Sequence, residues 1–257
     1  LNFWDRGHNP LYSRPMRENY TLPRLHVPDD LSDQARIELP REQAHYLTNV
    51  IRKRVGDSVR VFNGSSGEWR AEIATVAKKS SQLVVKERLR DPMASPDVTL
   101  LFAPVRKHRT TFIIEKGTEL GVRTFQPILT ARTQFPRINV DKARLQAIEA
   151  TEQTERLDIP EVNAARPLLD VLSAWGDMPL IFADEAGDAS SAKDVCAKLP
   201  APLGFIIGPE GGFTDAERSE LRAMKTVHSV SLGPRILRAD TAAVALLSVW
   251  QSLNGDW

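Results

Sequence analysis

Gly204-Phe205-Ile206-Ile207-Gly208-Pro209-Glu210-Gly211-Gly212-Phe213-Thr214-Asp215-Ala216-Glu217 is the stretch on which the fold turns. Its apolar start reads as a buried strand. Thr214, with Glu217 three positions on, has the spacing of a helix capping box. Between the two lie three glycines, a proline and a carboxylate. A tight strand-to-helix turn needs one glycine; three let the backbone approach a ligand closely and adopt unusual dihedrals. The stretch therefore predicts strand, binding loop and helix in that order.

A second stretch repeats the plan. Val230-Ser231-Leu232 reads as a strand, Gly233-Pro234-Arg235-Ile236-Leu237-Arg238-Ala239-Asp240-Thr241 as a loop, and the residues from Thr241 to about Leu253 as an apolar helix with Asp240 or Thr241 as N-cap. Arg235 and Arg238 beside a helix N-terminus suit a phosphate or a base edge, or a surface pairing with Asp240. A third, acidic turn, Ala183-Asp184-Glu185-Ala186-Gly187, follows the strand Leu180-Ile181-Phe182.

Outward from these loops the pattern stays strand then helix: residues 98–103 strand, 110–120 helix closed by Gly121, 125–129 strand, 141–156 helix. That alternation predicts a mainly parallel sheet covered on both faces, with ligands at the carboxyl ends of its strands. No GxGxxG follows a strand, and no GxxxxGK[ST] or GxSxG is present, which disfavours a nicotinamide dehydrogenase, a P-loop NTPase and an α/β-hydrolase.

Residues 20–90 read differently. Short β-rich runs are separated by turn signals, Asn63-Gly64 among them, and one helix is expected over 41–52 after Pro40. This is the pattern of a small β-barrel. Residues 91–96, with Pro92 and Pro96, form the expected linker, and 97–257 the second domain. Residues 1–19 are set aside as an extension, with Met16 as a natural start.

The chain's formal charge of +1 is unevenly spread. Residues 20–90 hold 13 Lys and Arg against 9 Asp and Glu, while 91–257 hold 18 against 22. A basic first half suits a polyanion, or is a solvated surface. The single cysteine, Cys196, excludes an internal disulfide and fits a reducing compartment. The five histidines have no ligand spacing, so no metal is expected. The longest strongly apolar run, 242–250, is well short of the roughly 18 residues of a membrane span. It predicts a buried helix, packed in its own domain or at a subunit interface.

Together the segments IIGPEGGFTDAE and LGPRILRADTA resemble the paired C-terminal motifs of the RsmE-type methyltransferases, of the SPOUT class. Lys116 with Thr118-Glu119-Leu120-Gly121-Val122, Pro127, Arg132, Glu152-Gln153, Arg156 and Pro160 extend the resemblance. In the first domain Pro23-Arg24, His45, Arg52 and Gly56-Asp57 do so. It covers about residues 20–253. Gly117 stands for the usual alanine, Glu155 for a common glycine, and Ala239-Asp240 for a Thr-Glu pair.

The resemblance implies an α/β catalytic domain with a trefoil knot and an N-terminal PUA-like RNA-binding barrel. It implies methylation of N3 of a uridine in 16S ribosomal RNA by S-adenosylmethionine, a cytoplasmic homodimer, and the small ribosomal subunit as partner. The cofactor would lie against Ala183, Ile207, Gly208, Pro209, Glu210, Gly211, Gly212, Leu232, Gly233, Arg235, Ile236, Leu237 and Thr241, and Gly212→Val is expected to block it while leaving the fold intact. Arg235 and Arg238 are candidates to stabilise charge on the uracil, and Glu210 to accept the proton or to serve its own loop. Arg24, Arg52, Lys53, Arg54, Lys78, Lys79, Arg106, Lys107 and Arg109 are the RNA-contact candidates. Two other readings stay open: a SPOUT enzyme acting on a ribose 2′-hydroxyl, and an RNA-binding protein without activity.

Overall fold

The computed structural model describes residues 19–77, 81–184 and 189–257. Lys78, Lys79, Glu185, Ala186 and Gly187 lie outside the described residues. The chain divides after Ala94 into two compact units.

The first unit is one sheet. Its strands β1 (Arg24–His26), β2 (Arg36–Leu39), β3 (Ser58–Asn63), β4 (Gly67–Val76) and β5 (Ser81–Arg90) run in the order β1-β3-β4-β5-β2. The β3–β4 turn is tied by the Asn63 side chain, which accepts from the amides of Ser65 and Ser66 at 3.1 and 2.6 Å. Three register shifts between β4 and β5 bend the sheet. Leu25 of β1 and Ile37 of β2 thus share one core with Val61, Ile73 and Leu83. The expected barrel is not closed: among the described residues the two edge strands share a core without pairing to each other. The expected helix begins as α1 (Arg41–His45) and continues as a π-helical turn, Tyr46–Val50.

Glu68 sits fully buried in this unit, with Arg24 at 2.6 Å, Arg90 at 2.9 Å and Arg60 at 3.5 Å. Burial alone pushes its carboxyl up, but the guanidiniums of Arg24 and Arg90 outweigh that and hold it below the ordinary value. Arg24 also lies 3.7 Å over the Phe62 ring. This corrects the sequence reading of Arg24 as an RNA contact: it is 7% exposed and committed to Glu68.

The second unit has three layers. Its strands are β6 (Val98–Phe102), β7 (Thr124–Leu129), β8 (Glu161–Val162), β9 (Arg166–Pro167), β10 (Leu180–Ala183), β11 (Ser190–Ser191), β12 (Leu203–Ile207) and β13 (Val227–Ser231). They pair in the order β11-β13-β10-β12-β6-β7-β8, with β9 beside β7, every pair parallel. Successive side chains point to opposite faces. Leu100, Phe102, Phe205 and Ile207 meet helices α2 (Lys107–Glu119), α3 (Val140–Gln153), α5 (Ala192–Cys196) and α7 (Ala239–Asn254). Leu101, Phe182 and Ile206 meet α4 (Leu168–Ser173) and α6 (Asp215–Ala223).

Two departures from the family pattern are accommodated locally. A Cβ at Gly117 would lie 2.6 Å from the Phe125 ring, so the glycine matches that bulky neighbour. Glu155, where glycine is common, adopts φ 61°, the left-handed region in which a side chain costs energy. The apolar helix α7 packs largely within its own unit: Trp250 is fully buried, edge-on to Phe205, and donates its indole N–H to Leu199 O at 2.8 Å.

Candidate active-site cleft

Strand β10 lies between β12 and β13, so the loops after these three strands are neighbours. They enclose a cleft of about 360 Å³. Its walls are Ala183 and Asp184 after β10, residues 207–212 after β12, and residues 230–237 at β13 and beyond, with Ala239 and Ala242 of α7. Of the residues read from sequence as cofactor contacts, only Thr241 is off the wall; it lies exposed in the first turn of α7.

The loop after β12 is fixed from beneath. The capping box forms: Thr214 Oγ1 accepts from the Glu217 amide at 3.2 Å, and Glu217 accepts from the Thr214 amide at 2.9 Å. Glu217 also accepts from the Ala131 amide at 2.7 Å. Arg132 donates to the carbonyls of Gly211 at 2.8 Å and Phe213 at 3.3 Å. Phe213, buried, stands edge-on to Phe182 with ring centres 5.2 Å apart. Gly212, on the cleft wall, holds φ 67°, so Gly212→Val also strains the backbone.

The opposite wall is less tied. Gly233 holds φ 99°, and a Cβ there would meet nothing within 4 Å. Its amide donates to Ser231 Oγ at 3.2 Å. Ile236 is 90% exposed, an apolar side chain standing beside the cleft. Arg235 lines the cleft and is exposed, as is Glu210 across from it. Arg238 does not line the cleft; it is the N-cap residue of α7. That corrects the assignment of the cap to Asp240 or Thr241: Arg238 is extended and the helix begins at Ala239, so Asp240 lies inside the first turn, where its carboxylate accepts from the Thr241 amide at 3.0 Å and from Arg109.

Asp184 is the residue whose role the sequence did not announce. Its carboxylate is fully buried at the end of β10, 2.7 Å from Arg222 and 3.2 Å from Arg218, both on α6. It ties the helix that carries the glycine loop to the strand that forms the third wall. Arg106 and Lys107 lie exposed at the start of α2, at the same edge of the sheet, since β6 neighbours β12. Arg109 is paired with Asp240, so its guanidinium is partly spent within the fold. Arg52, Lys53 and Arg54 belong to the first unit, just after the π-helical turn.

The cleft suits a nucleoside-sized ligand. Its volume lies in the roughly 300–1,000 Å³ range of small-molecule sites. Glycine backbone forms one side, and Ile207, Leu232, Ile236 and Leu237 offer an apolar surface. Among the described residues no group of three metal-ligating side chains occurs.

Comparison with known proteins gives a consistent picture. Residues 93–251 match the model of an RNA methyltransferase domain, and residues 39–86 that of an RNA methyltransferase PUA domain. The chain is 33% identical to ribosomal RNA small subunit methyltransferase E of Rickettsia conorii, over 88% of this chain and 93% of that one. It is 34% identical to the protein of that name from Synechocystis, over 88% and 76%. A Legionella pneumophila protein solved with bound S-adenosylmethionine superposes with a TM-score of 0.83 at 29% identity, over 92% of this chain and 99% of that chain. The ribosomal RNA small subunit methyltransferase E of Neisseria gonorrhoeae, bound to S-adenosylmethionine, gives 0.76 at 26% identity, over the same shares.

Proposed function

Because the chain belongs to the RNA methyltransferase family of the ribosomal RNA small subunit methyltransferases E, we propose that it uses S-adenosylmethionine to methylate N3 of a uridine in 16S ribosomal RNA. The observation that carries the reading is the cleft itself: three neighbouring loops, with Gly208, Gly211, Gly212 and Gly233 on its walls, around a partly apolar space of nucleoside size. S-adenosylmethionine supplies an electrophilic methyl group on a sulfonium. The residues of the chain have the remaining work. The loop backbones at 208–212 and 233 hold and orient the cofactor, and Leu232, Ile236 and Leu237 offer apolar contact to its adenine. Holding donor and acceptor in line and close is mainly an orientation effect.

Uridine N3 carries a proton that must leave. Arg235, exposed on the cleft, is placed to stabilise negative charge developing on a uracil oxygen. Among the described residues, two carboxylates line the cleft, Asp184 and Glu210. Asp184 is buried and paired with arginines; Glu210, exposed on the cleft, is taken as the proton acceptor. Arg238, off the wall, is assigned to the RNA backbone rather than to the reacting base. The same reading takes the enzyme to act in the cytoplasm as a homodimer, on the small subunit, with the sheet segment at β13 part of a knotted path; β13 lies between β10 and β11, both earlier in the chain.

The test is to incubate the protein with labelled S-adenosylmethionine and small subunits lacking the modification, then digest the RNA to nucleosides. N3-methyluridine is expected. Label in a 2′-O-methylated nucleoside would move the target to the ribose, and S-adenosylmethionine binding absent altogether would support an RNA-binding protein without activity.

A further inference from the structure

Two groups stand out among the basic residues of the first unit. Arg24, Arg60 and Arg90 surround Glu68, Arg70 reaches Glu72 and Glu87, and Arg88 reaches Asp91. Arg41, Lys53 and Arg54 make no side-chain ion pair among the described residues. They are gathered with His45 around a cleft of about 570 Å³, and among the described residues no carboxylate lines it. The surplus of positive charge seen in residues 20–90 is thus concentrated, in part, at one concave place.

The backbone around that cleft is irregular where regular structure would be cheaper. The wall that carries Thr48 and Asn49 is the π-helical turn, Arg52 holds φ 57°, and Gly56 holds φ 90°. Such features persist only where the surroundings enforce them, and they cluster at ligand sites. The wall is also apolar in part: Val55 and Val76 line the cleft yet are 61% and 43% exposed.

We infer that this cleft takes an unpaired nucleotide of the RNA substrate, its phosphate on Arg41 and Arg54 and its base against Val55 and Val76. The inference rests on the reading of the chain as acting on RNA, and adds where and in what form the RNA is gripped. A basic surface alone would serve a duplex as well as a single strand. A concave site with apolar side chains distinguishes them, because a base stacked in a helix cannot enter it, whereas a splayed base can. Thr48 and Asn49 supply hydrogen-bonding groups for the base edge.

The test compares binding of the full chain to a short single-stranded RNA and to a hairpin duplex, by fluorescence anisotropy. Two variants at exposed positions are used, the double Arg41→Ala/Arg54→Ala and Val55→Asp. Each is expected to weaken single-strand binding about tenfold while duplex binding changes far less, and the double variant flattens the salt dependence of single-strand binding by about one phosphate contact. Affinity for S-adenosylmethionine stays unchanged. Equal losses for both RNA forms would reduce the cleft to a general phosphate patch and overturn the inference, as would no loss. If the unaltered protein bound neither RNA, the inference and the RNA reading would fall together. Selective loss in a protein that transfers no methyl group would uphold the cleft and sink only the methylation.

Discussion

Arg109 Nη1, on α2, lies 3.1 and 3.0 Å from the two carboxylate oxygens of Asp240, in the first turn of α7. The two residues are 131 positions apart in sequence. Their pairing anchors the helix that follows the loop bearing Gly233, Arg235 and Ile236. The carboxylate also sits at the positive end of the α7 dipole, which favours it further.

Asp240→Ala removes both contributions. The side chains are only partly exposed, at 19% and 15%, so a charge-assisted hydrogen bond of about 1.5–3 kcal/mol is at stake. Unfolding in urea is expected to show a loss towards the lower end of that range. Calorimetry is expected to show weaker binding of S-adenosylmethionine, because the cleft wall loosens. Unchanged cofactor affinity beside lowered stability would confine the pair to a structural role.

Gly233→Ala is the cleaner probe of the cleft backbone. An added Cβ meets no atom within 4 Å, so its cost is confined to the left-handed dihedral, about 1–2 kcal/mol. A loss of cofactor affinity larger than that strain accounts for, measured by calorimetry on the folded variant, is the expected sign that the ligand lies against this glycine. Gly208→Ala is a poor probe, since its Cβ would come within 2.7 Å of the Phe213 ring.

The two arginines of the second loop are expected to separate. Arg235→Ala should lower single-turnover methyl transfer by about 10²–10³ at saturating substrates, the scale of losing one preorganised stabilising group. Arg238→Ala, removed from the cleft wall, should act mainly on the concentration of RNA needed to saturate. Equal losses in the rate at saturation would contradict this division of roles.

Glu68 makes the first unit sensitive to acid. Its carboxyl is held below the ordinary value, so it stabilises the fold at neutral pH. That stability is lost as pH falls from about 4.5 through the depressed folded value. Asp158 in the second unit acts in the same sense: burial raises its carboxyl, but Arg156 and Ser95 outweigh this. Glu68→Gln leaves three guanidiniums around a neutral group. It is expected to cost about 3–5 kcal/mol, the scale of breaking a buried ion pair, and to flatten the acid limb of a denaturation curve followed by circular dichroism.

Much of the second unit was legible because its signals are local. The apolar strands β6, β10 and β12, the capping box of Thr214 and Glu217, and the helix end at Gly121 all follow from neighbours in sequence. The two-residue strands β8, β9 and β11 carry no period, and their place depends on sheet pairing alone. The cap of α7 was misread because the helix starts at Ala239, earlier than the local pattern suggests, which puts Asp240 inside the first turn. Arg24 looked like a free cation until Glu68, 44 positions away, was found beneath it. Asp184 looked like part of an acidic turn, and its arginine partners on α6 come 34 and 38 positions later in sequence, after β12. The π-helical turn and the strained Arg52 leave no trace in residue pattern, so Lys53 and Arg54 could be named from sequence but the second cleft they line could not.

Hydrogen–deuterium exchange with and without S-adenosylmethionine tests the central assignment most directly. Slowed exchange is expected in three separate peptides, around 183–184, 207–212 and 231–237, with the first unit unchanged. Protection elsewhere in the chain, or binding without protection in any of the three, would contradict the cleft as the cofactor site.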